Sequence, residues 1–348
     1  MSTIARNERG GGSNPLIGWK LDPSTIGFKG TGLQRPECIL AERDGTLWTA
    51  DARGGVMRIA RDGSQTLITQ SPDKHFDLAA DEEGSLVAGT LPNGLAFASN
   101  GDVLIANFGT DRLERMTRSG VSHVLLDSID GLPIGKVNFV LRDRRDRIWL
   151  TISTRTNPWT HAITRRVSDG YIALIDDRGI HVVADGFRFT NEIRLDAAEE
   201  WLYVAETTGK CVTRLRVRPD GSLVDREIYG PACLGDGVID GIAFDVYGNL
   251  WATMLFADRL IAITPQGDLI ELASFGNASA TAVFEAAFAS GDPVPFAVLS
   301  ECGGQIAAWL ASVTFGGDRL NTVYLGSLRG DCLPFFEAPV SGLPMVHW

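Results

Sequence analysis

The chain has 348 residues, of which 44% are hydrophobic and 22% are charged, a composition that excludes a disordered or a fibrous protein. Its formal net charge of −11 provides no basic surface for nucleic acid or for an anionic membrane. The five cysteines are scattered and include no Cys-x-x-Cys pair, which argues against a disulfide framework and a thiolate zinc site. With no signal-peptide or membrane-spanning pattern, the sequence predicts a cytoplasmic protein.

The start of the chain differs in composition from the rest. Residues 1–15 are rich in Ser, Gly, Asn and Arg, and we expect a flexible N-terminus. Residues 16–348 are expected to form a single domain. Their dominant feature is a repeated phrase: an apolar segment, a turn with Asp, Asn or Gly, and a strand of the form apolar-aromatic-x-small.

Six copies of this repeat align on one large residue. These residues are Trp48, Leu104, Trp149, Tyr203, Trp251 and Tyr324, spaced by 45 to 73 residues. Short Val-, Ile- and Leu-rich runs between Gly-containing turns are typical of antiparallel strands, and the spacing is that of a propeller blade. The sequence therefore predicts an all-β fold, a six-bladed β-propeller. Because a propeller must close its ring, a segment within residues 17–33 is expected to add a strand to the last blade.

Two insertions interrupt the repeat. Residues 154–169 are predicted to form a long loop, and the Ala-rich residues 274–312 predict a helical insertion in the last blade. Within it, Val283, Phe284, Ala287 and Phe288 have the spacing of one buried helical face. That face could cover the channel mouth, pack on the side of the propeller, or contact a second subunit of a homodimer.

A polar residue recurs eleven or twelve positions before the aligned large residue in every copy. The six are Glu37, Asn93, Asn138, Asn191, Asp240 and Ser312. Because the entry ends of all inner strands of a propeller meet at its channel, these side chains are expected to converge. Oxygen donors of this kind suit Ca²⁺, and the five histidines include no i,i+4 pair that would suggest a nitrogen-ligated metal. Each residue taken singly could instead cap a turn.

The chain resembles the senescence marker protein/gluconolactonase/luciferin-regenerating enzyme family of six-bladed propellers from about residue 35 onward. The resemblance lies in four motifs that contain Glu37, Asn138, Asn191 and Asp240, namely RPECIL, GKVNFVLRDRRDRIW, FRFTNEIRLD and VIDGIAFDVYGNLW. It implies that Glu37, Asn191 and Asp240 bind a metal ion and that Asn138 contacts the substrate and the metal. The chain departs from the family pattern at Cys38, Glu192 and Ile239.

The resemblance also implies a function. Most family members are lactonases, so we expect a hydrolase that opens a lactone, in which one divalent metal ion polarises the carbonyl and Asp240 activates water. Ca²⁺ is the favoured ion, with Zn²⁺, Mn²⁺, Mg²⁺ and Fe²⁺ as alternatives. Asn138, Lys136, Asn93 and His161 are the expected contacts to a small-molecule substrate.

Other functions could use the same residues. The alternatives are a non-catalytic calcium-binding or regulatory propeller, or a related metal-dependent esterase, phosphotriesterase or lyase. A solvated loop position is the competing interpretation for Lys136 and for His161. For Asn93, whose sequence context is Pro-Asn-Gly, the competing interpretation is an ordinary turn.

Overall fold

The computed structural model describes residues 13–70 and 89–348. These residues contain six four-stranded antiparallel sheets, which we call blades 1 to 6 in chain order. From the innermost strand outward, blade 1 consists of Ile39–Ala41, Leu47–Asp51, Gly55–Ile59 and Gln65–Thr69, and blade 2 of Pro92–Phe97, Val103–Asn107, Arg112–Met116 and Ser122–Leu126. Blade 3 consists of Val137–Arg142, Ile148–Ile152, Gly170–Asp176 and Gly179–Phe187, and blade 4 of Thr190–Leu195, Trp201–Glu206, Cys211–Val217 and Leu223–Tyr229. Blade 5 consists of Val238–Phe244, Leu250–Leu255, Arg259–Ile263 and Leu269–Ser274, and blade 6 of Leu310–Gly316, Thr322–Ser327, Leu333–Glu337 and Gly27–Lys29.

The blades form a closed ring. Each innermost strand contacts the innermost strands of the two neighbouring blades, and the last contact joins blade 6 back to blade 1. The outermost strand of blade 6 comes from the start of the chain, where Gly27 pairs with Phe335 and Lys29 with Leu333. The six-bladed propeller is therefore confirmed, and so is the strand expected within residues 17–33.

The aligned large residues lie on the second strand of each blade. Three of them, Trp48, Trp149 and Trp251, are among the largest fully buried side chains. Each indole N–H donates to a carboxylate six residues earlier in the chain: Trp48 to Glu42 at 2.6 Å, Trp149 to Asp143 at 2.9 Å and Trp251 to Asp245 at 2.9 Å. A bulky apolar body with a satisfied polar atom is what a buried tryptophan needs, and the repeat supplies both.

The segment between blades 5 and 6 contains two helices, Ala278–Ala289 (α1) and Phe296–Ser300 (α2). The Asn277 side chain accepts from two backbone N–H groups of the first turn and so caps α1. Phe284 and Phe288 are fully buried as expected, but Val283 is 57% exposed, so its place on the buried face was wrong. Thr281 occupies that face instead, one turn before Phe284.

The remaining elements are short. Two single turns of 3-10 helix span Pro23–Thr25 and Trp159–Ala162, and a two-stranded sheet pairs Ser128–Ile129 with Leu132–Pro133. Of the N-terminus expected to be flexible, residues 1–12 lie outside the described residues, and the Asn14 amide donates to Asn249 Oδ1 at 2.6 Å. None of the helices within residues 13–70 and 89–348 is long and apolar enough to cross a membrane.

One end of the channel is lined by the C-terminal tail, residues 343–348. His347 Nε2 lies 3.0 Å from the carbonyl oxygen of Ala41, at the end of the inner strand of blade 1. Arg43 donates to the backbone carbonyl of Trp348 at 2.8 Å. The other end of the channel, where the inner strands begin, contains the polar residues singled out by the repeat.

Candidate metal centre and substrate pocket

Irregular strand pairing positions the polar side chains. In blade 3 the pairing shifts register between Val137 and Phe139, and in blade 5 between Ile239 and Ile242. Asn138 and Asp240 therefore sit within the inner strands, at β-bulges. Bulges re-aim side chains and are common beside functional sites. Asn191 lies in a similar shift, in blade 4.

Glycines next to these positions let the inner strands approach one another closely. A Cβ on Gly94 would lie 2.5 Å from the Cα of Phe139, and one on Gly241 would lie 2.5 Å from the carbonyl oxygen of Ala311. The Asn-Gly and Asp-Gly pairs are therefore requirements of strand packing and not turns. This overturns the turn interpretation of Asn93, which lies in the strand Pro92–Phe97.

Four of the expected residues bring oxygen atoms to one pocket. Glu37, Asn138, Asn191 and Asp240 line it, and each is at most 6% exposed. The three atoms Asn138 Oδ1, Asn191 Oδ1 and Asp240 Oδ1 are buried and receive no hydrogen bond from the described residues, and Glu37 Oε2 is buried beside them in an ion pair with Arg35. Buried polar atoms without a partner are costly, so three of them beside a buried carboxylate indicate a ligand. Two carboxylates and two amide carbonyls fit a hard divalent cation.

The donor set is mixed in its chemistry. Among the described residues, no group of three or more His, Cys, Asp or Glu side chains is arranged to hold a metal ion. A metal at this site must therefore use the amide oxygens together with the two carboxylates. The Asn191 amide nitrogen donates to Thr207 Oγ1 at 3.0 Å, which fixes the side chain and leaves Oδ1 as its free acceptor.

Without a cation, the neighbouring carboxylates of the pocket are unfavourable in their ionised form. Burial raises the pKa of Asp240 well above the usual range of an aspartate, and the neighbouring Glu37 and Glu192 raise it further. Burial also raises the pKa of Glu37, and the Arg35 guanidinium partly offsets that effect. A bound divalent ion would reverse these shifts by favouring the ionised carboxylates.

Arg35 is a pocket residue that the sequence analysis did not identify. Its Nη1 lies 2.9 Å from Glu37 Oε2, and its Nη2 donates to Asn93 Oδ1 at 2.8 Å. Its backbone adopts a left-handed φ of 55°, which is uncommon for a residue other than glycine. The only sequence signal was its place two residues before Glu37. Asn93 has both side-chain groups engaged, since its Nδ2 donates to the Asn138 carbonyl at 3.0 Å, so it supports the site rather than offering a free donor.

A second buried ion pair adjoins the centre. Glu192 stands where the family pattern has glycine, and its carboxylate lies 2.8 Å from Arg194 Nη2 and accepts from the Ile242 N–H at 3.1 Å. Burial raises the pKa of Glu192 to about 7. Both side chains are buried, so the positive charge of Arg194 compensates the buried negative charge that Glu192 introduces in place of glycine.

The remaining expected residues divide between the pocket and its surroundings. His161, on the 3-10 turn of the insertion 154–169, is exposed and lines the pocket. Lys136 does not line it, because its ammonium lies 2.9 Å from Asp111 and donates to the Phe108 carbonyl at 3.3 Å. Ser312 lies on the inner strand of blade 6, inside the range expected to be an insertion, and its hydroxyl donates to the Glu37 carbonyl.

The cavity above the polar group has a volume of about 290 Å³, at the small end of ligand pockets. Of its 23 lining residues, 14 are apolar, and six of those are aromatic. The aromatic residues are Phe108, Trp159, Phe189, Phe256, Phe296 and Trp309. Helix α2 and the insertion 154–169 both contribute to this lining, so both insertions in the repeat border the site.

Solved structures of other proteins share the fold. A gluconolactonase from Xanthomonas campestris matches with a TM-score of 0.61 and 17% identity, over 89% of this chain and 87% of that chain. A luciferin-regenerating enzyme matches with a TM-score of 0.64 and 14% identity, over 92% and 98%. The calcium-binding protein regucalcin from Agrobacterium tumefaciens matches with a TM-score of 0.63 and 13% identity, over 91% and 96%.

At these identities the structural matches establish the fold alone. Among curated proteins, none matches the sequence at a significant level. The family model described as the SMP-30/Gluconolactonase/LRE-like region matches residues 35–289, which include Glu37, Asn138, Asn191 and Asp240. Since this match spans well over half of the chain, the protein belongs to the SMP-30/gluconolactonase/LRE-like family.

Proposed function

We propose that the protein is a metal-dependent hydrolase that opens a lactone to a hydroxy acid. The observation that carries the proposal is the set of four buried oxygen donors at one end of the channel: the unpartnered Oδ1 atoms of Asn138, Asn191 and Asp240, and the Glu37 carboxylate, which is paired with Arg35. These residues would hold one divalent cation, and Ca²⁺ suits an all-oxygen donor set best. When bound, the cation supplies Lewis-acid polarisation of the substrate carbonyl and lowers the pKa of a water molecule.

The residues of the chain perform the other steps. Asp240 Oδ1, which is buried and accepts no hydrogen bond from the described residues, takes a proton from the attacking water. The water oxygen bonds to the lactone carbonyl carbon, and the ring C–O bond then breaks. The departing alkoxide takes up the proton from Asp240, so one lactone and one water yield one hydroxy acid.

Arg35 contributes positive charge to the same pocket. Its guanidinium is paired with Glu37 and Asn93, while its Nε is buried without a partner among the described residues. A fixed guanidinium stabilises negative charge that develops on the substrate oxygen during the attack of water. Membership of the SMP-30/gluconolactonase/LRE-like family supports this assignment of reaction type.

The test is hydrolysis of a panel of lactones, followed by acid release, after chelation and re-addition of single metals. Activity should vanish on chelation and return with one divalent ion. Asp240→Asn should lower kcat by at least about a hundred-fold, the usual contribution of a general base. Glu37→Gln should abolish stoichiometric metal binding, because it removes one of the two carboxylate charges.

A surface carboxylate provides the control. The Asp318 side chain is 67% exposed and, within the part of the chain that the structure describes, forms its ion pair with the surface residue Arg61, so Asp318→Asn should keep the metal content and the rate of the unaltered protein. Metal-independent lactone hydrolysis would refute the proposal. Stoichiometric Ca²⁺ binding without hydrolysis of any lactone, ester or phosphotriester would instead establish a calcium-binding protein without turnover.

A further inference from the structure

The lining of the pocket separates into a polar group and an apolar wall. The polar group comprises Arg35, Glu37, Asn93, Asn138, Asn191 and Asp240, together with Thr207. The term apolar wall denotes the 14 apolar lining residues. They are the six aromatic residues named above and eight aliphatic and proline residues: Ile163, Val238, Leu255, Pro293, Val294, Pro295, Leu299 and Leu328. The polar group can bind the carbonyl and the ring oxygen of a lactone, so the apolar wall must face the substituent of the ring.

The wall offers few hydrogen bonds. Its Trp309 indole N–H is already donated to the Cys302 carbonyl at 3.0 Å. Apart from the polar group, the lining adds the polar side chains of Thr160 and His161 and one free donor, the Trp159 indole N–H, which is buried without a partner among the described residues. A polyhydroxylated ring would have to bury hydroxyls against this surface, and each buried hydroxyl without a partner costs roughly 1–3 kcal/mol.

The backbone supports an aromatic wall at a cost to local stability. Phe189, Phe256 and Trp309 have left-handed φ values of 58°, 69° and 60°. Bulky residues rarely adopt this conformation, which costs about 1–3 kcal/mol and is concentrated at functional sites. All three side chains line the pocket, so the strained backbone conformations orient aromatic surface toward its interior.

The two insertions hold the wall in place. Arg166 pairs with Asp292 at 3.1 Å, and the Thr164 hydroxyl donates to the Gly291 carbonyl, which joins the insertion 154–169 to the segment between α1 and α2. Glu285 of α1 accepts from the buried Lys210 ammonium and from the Gly237 N–H at 2.8 Å. The wall is therefore formed before substrate binds, which lowers the entropy cost of binding.

We propose that the substrate is a lactone bearing an aryl or branched alkyl substituent, not a polyhydroxylated sugar lactone. This inference rests on the proposed lactonase function. The carbonyl lies at the polar group and the substituent lies against the apolar wall, with Phe296 of α2 as a specificity-determining residue. Phe296 is half-buried and belongs to an insertion outside the repeat, so it can be changed without breaking a blade.

The test compares γ-phenyl-γ-butyrolactone with glucono-δ-lactone on the metal-loaded protein. We expect kcat/KM to be at least about ten-fold higher for the phenyl compound, since differences in apolar contact of this size give ten-fold or greater discrimination. Phe296→Asn should lower kcat/KM for the phenyl compound by about ten-fold, mainly through KM, and change the value for glucono-δ-lactone by less than about two-fold. Val283→Asn is the matched control, because Val283 lies in the same insertion but is 57% exposed and outside the pocket.

Binding without turnover separates this inference from the function on which it rests. After chelation, γ-phenyl-γ-butyrolactone should quench the fluorescence of Trp159 and Trp309, and Phe296→Asn should weaken that binding while Val283→Asn should not. Metal-dependent hydrolysis with glucono-δ-lactone preferred would overturn the substrate class and leave the lactonase function intact. Binding of the phenyl compound with no hydrolysis would overturn the function and uphold the apolar site. Absence of both binding and hydrolysis would overturn both.

Discussion

At the scale of single residues, the feature that distinguishes this pocket is a guanidinium beside the carboxylate of Glu37, one of the proposed metal ligands. Arg35 and Glu37 are separated by one proline, and the left-handed backbone at Arg35 lets its side chain turn back toward Glu37. The Pro92 carbonyl and Asn93 Oδ1 accept from the same guanidinium. Arg35 therefore balances part of the negative charge of the pocket and would repel a divalent cation bound there.

This repulsion gives a prediction for Arg35→Gln. Removing the positive charge beside Glu37 should tighten Ca²⁺ binding by about ten-fold, worth ~1.4 kcal/mol. The reason is that two charges a few ångströms apart interact by several kcal/mol even at a high effective dielectric. Isothermal titration calorimetry measures the affinity. Arg35→Lys keeps the charge and should bind Ca²⁺ about as the unaltered protein does. Weaker binding by Arg35→Gln would show that the guanidinium supports the metal ligands more than it repels the ion.

At the scale of elements, repeated positions could be predicted from sequence and inserted ones could not. Equivalent positions recur from blade to blade, so an offset of eleven or twelve residues from the aligned residue identified Glu37, Asn138, Asn191 and Asp240 as neighbours. The bulges at these positions left no signal of their own, because a register shift depends on the pairing with the second strand. For Asn93, the Pro-Asn-Gly context pointed to a turn, whereas strand packing decides its conformation.

The insertions show the limit of local patterns. The spacing of apolar residues identified α1 and its buried Phe284 and Phe288, but Val283 follows the same spacing and points to solvent. Which side of a short apolar helix is buried depends on distant partners, here Lys210 and Gly237 for Glu285. Arg35 and Phe296 were missed because neither lies at a repeated position, and each reaches the pocket through tertiary contacts.

The C-terminal tail makes a pH-dependent contribution to stability. Burial lowers the pKa of His347, whose ring packs edge-on against Phe97 at 5.0 Å between centroids and contacts the Ala41 carbonyl. Glu42 opposes this shift, whereas Arg142 and Arg118 add to it. The folded state thus binds the proton of His347 more weakly than the unfolded state does. Its contribution is full above the unfolded pKa, about 6.5, and is lost as the pH falls toward the folded value.

Urea unfolding of the unaltered protein and of His347→Gln tests this contribution. The unaltered protein should be the more stable at about pH 7.5, and its advantage should shrink by up to about 1.4 kcal/mol at about pH 5.5. Only the difference between the two proteins is compared, because other groups titrate in both. An advantage that stays constant or grows as the pH falls would contradict the assignment.

At the scale of the whole molecule, the two ends of the channel differ in what lines them. The C-terminal tail lines one end of the channel, and the bulged starts of the inner strands bring the polar group together at the other. Polar residues drawn from successive blades meet only because the ring closes between blade 6 and blade 1. The fold therefore brings the polar group together, and the two insertions complete the apolar wall to which we attribute substrate selectivity.

The proposed function requires that four side chains from four blades hold one divalent ion. Anomalous diffraction from crystals grown with Mn²⁺, a divalent ion that also prefers oxygen ligands, tests it most directly. We expect one strong anomalous peak per chain, within bonding distance of oxygen atoms of Glu37, Asn138, Asn191 and Asp240. No peak in the pocket, or a peak ligated by other residues, would contradict it.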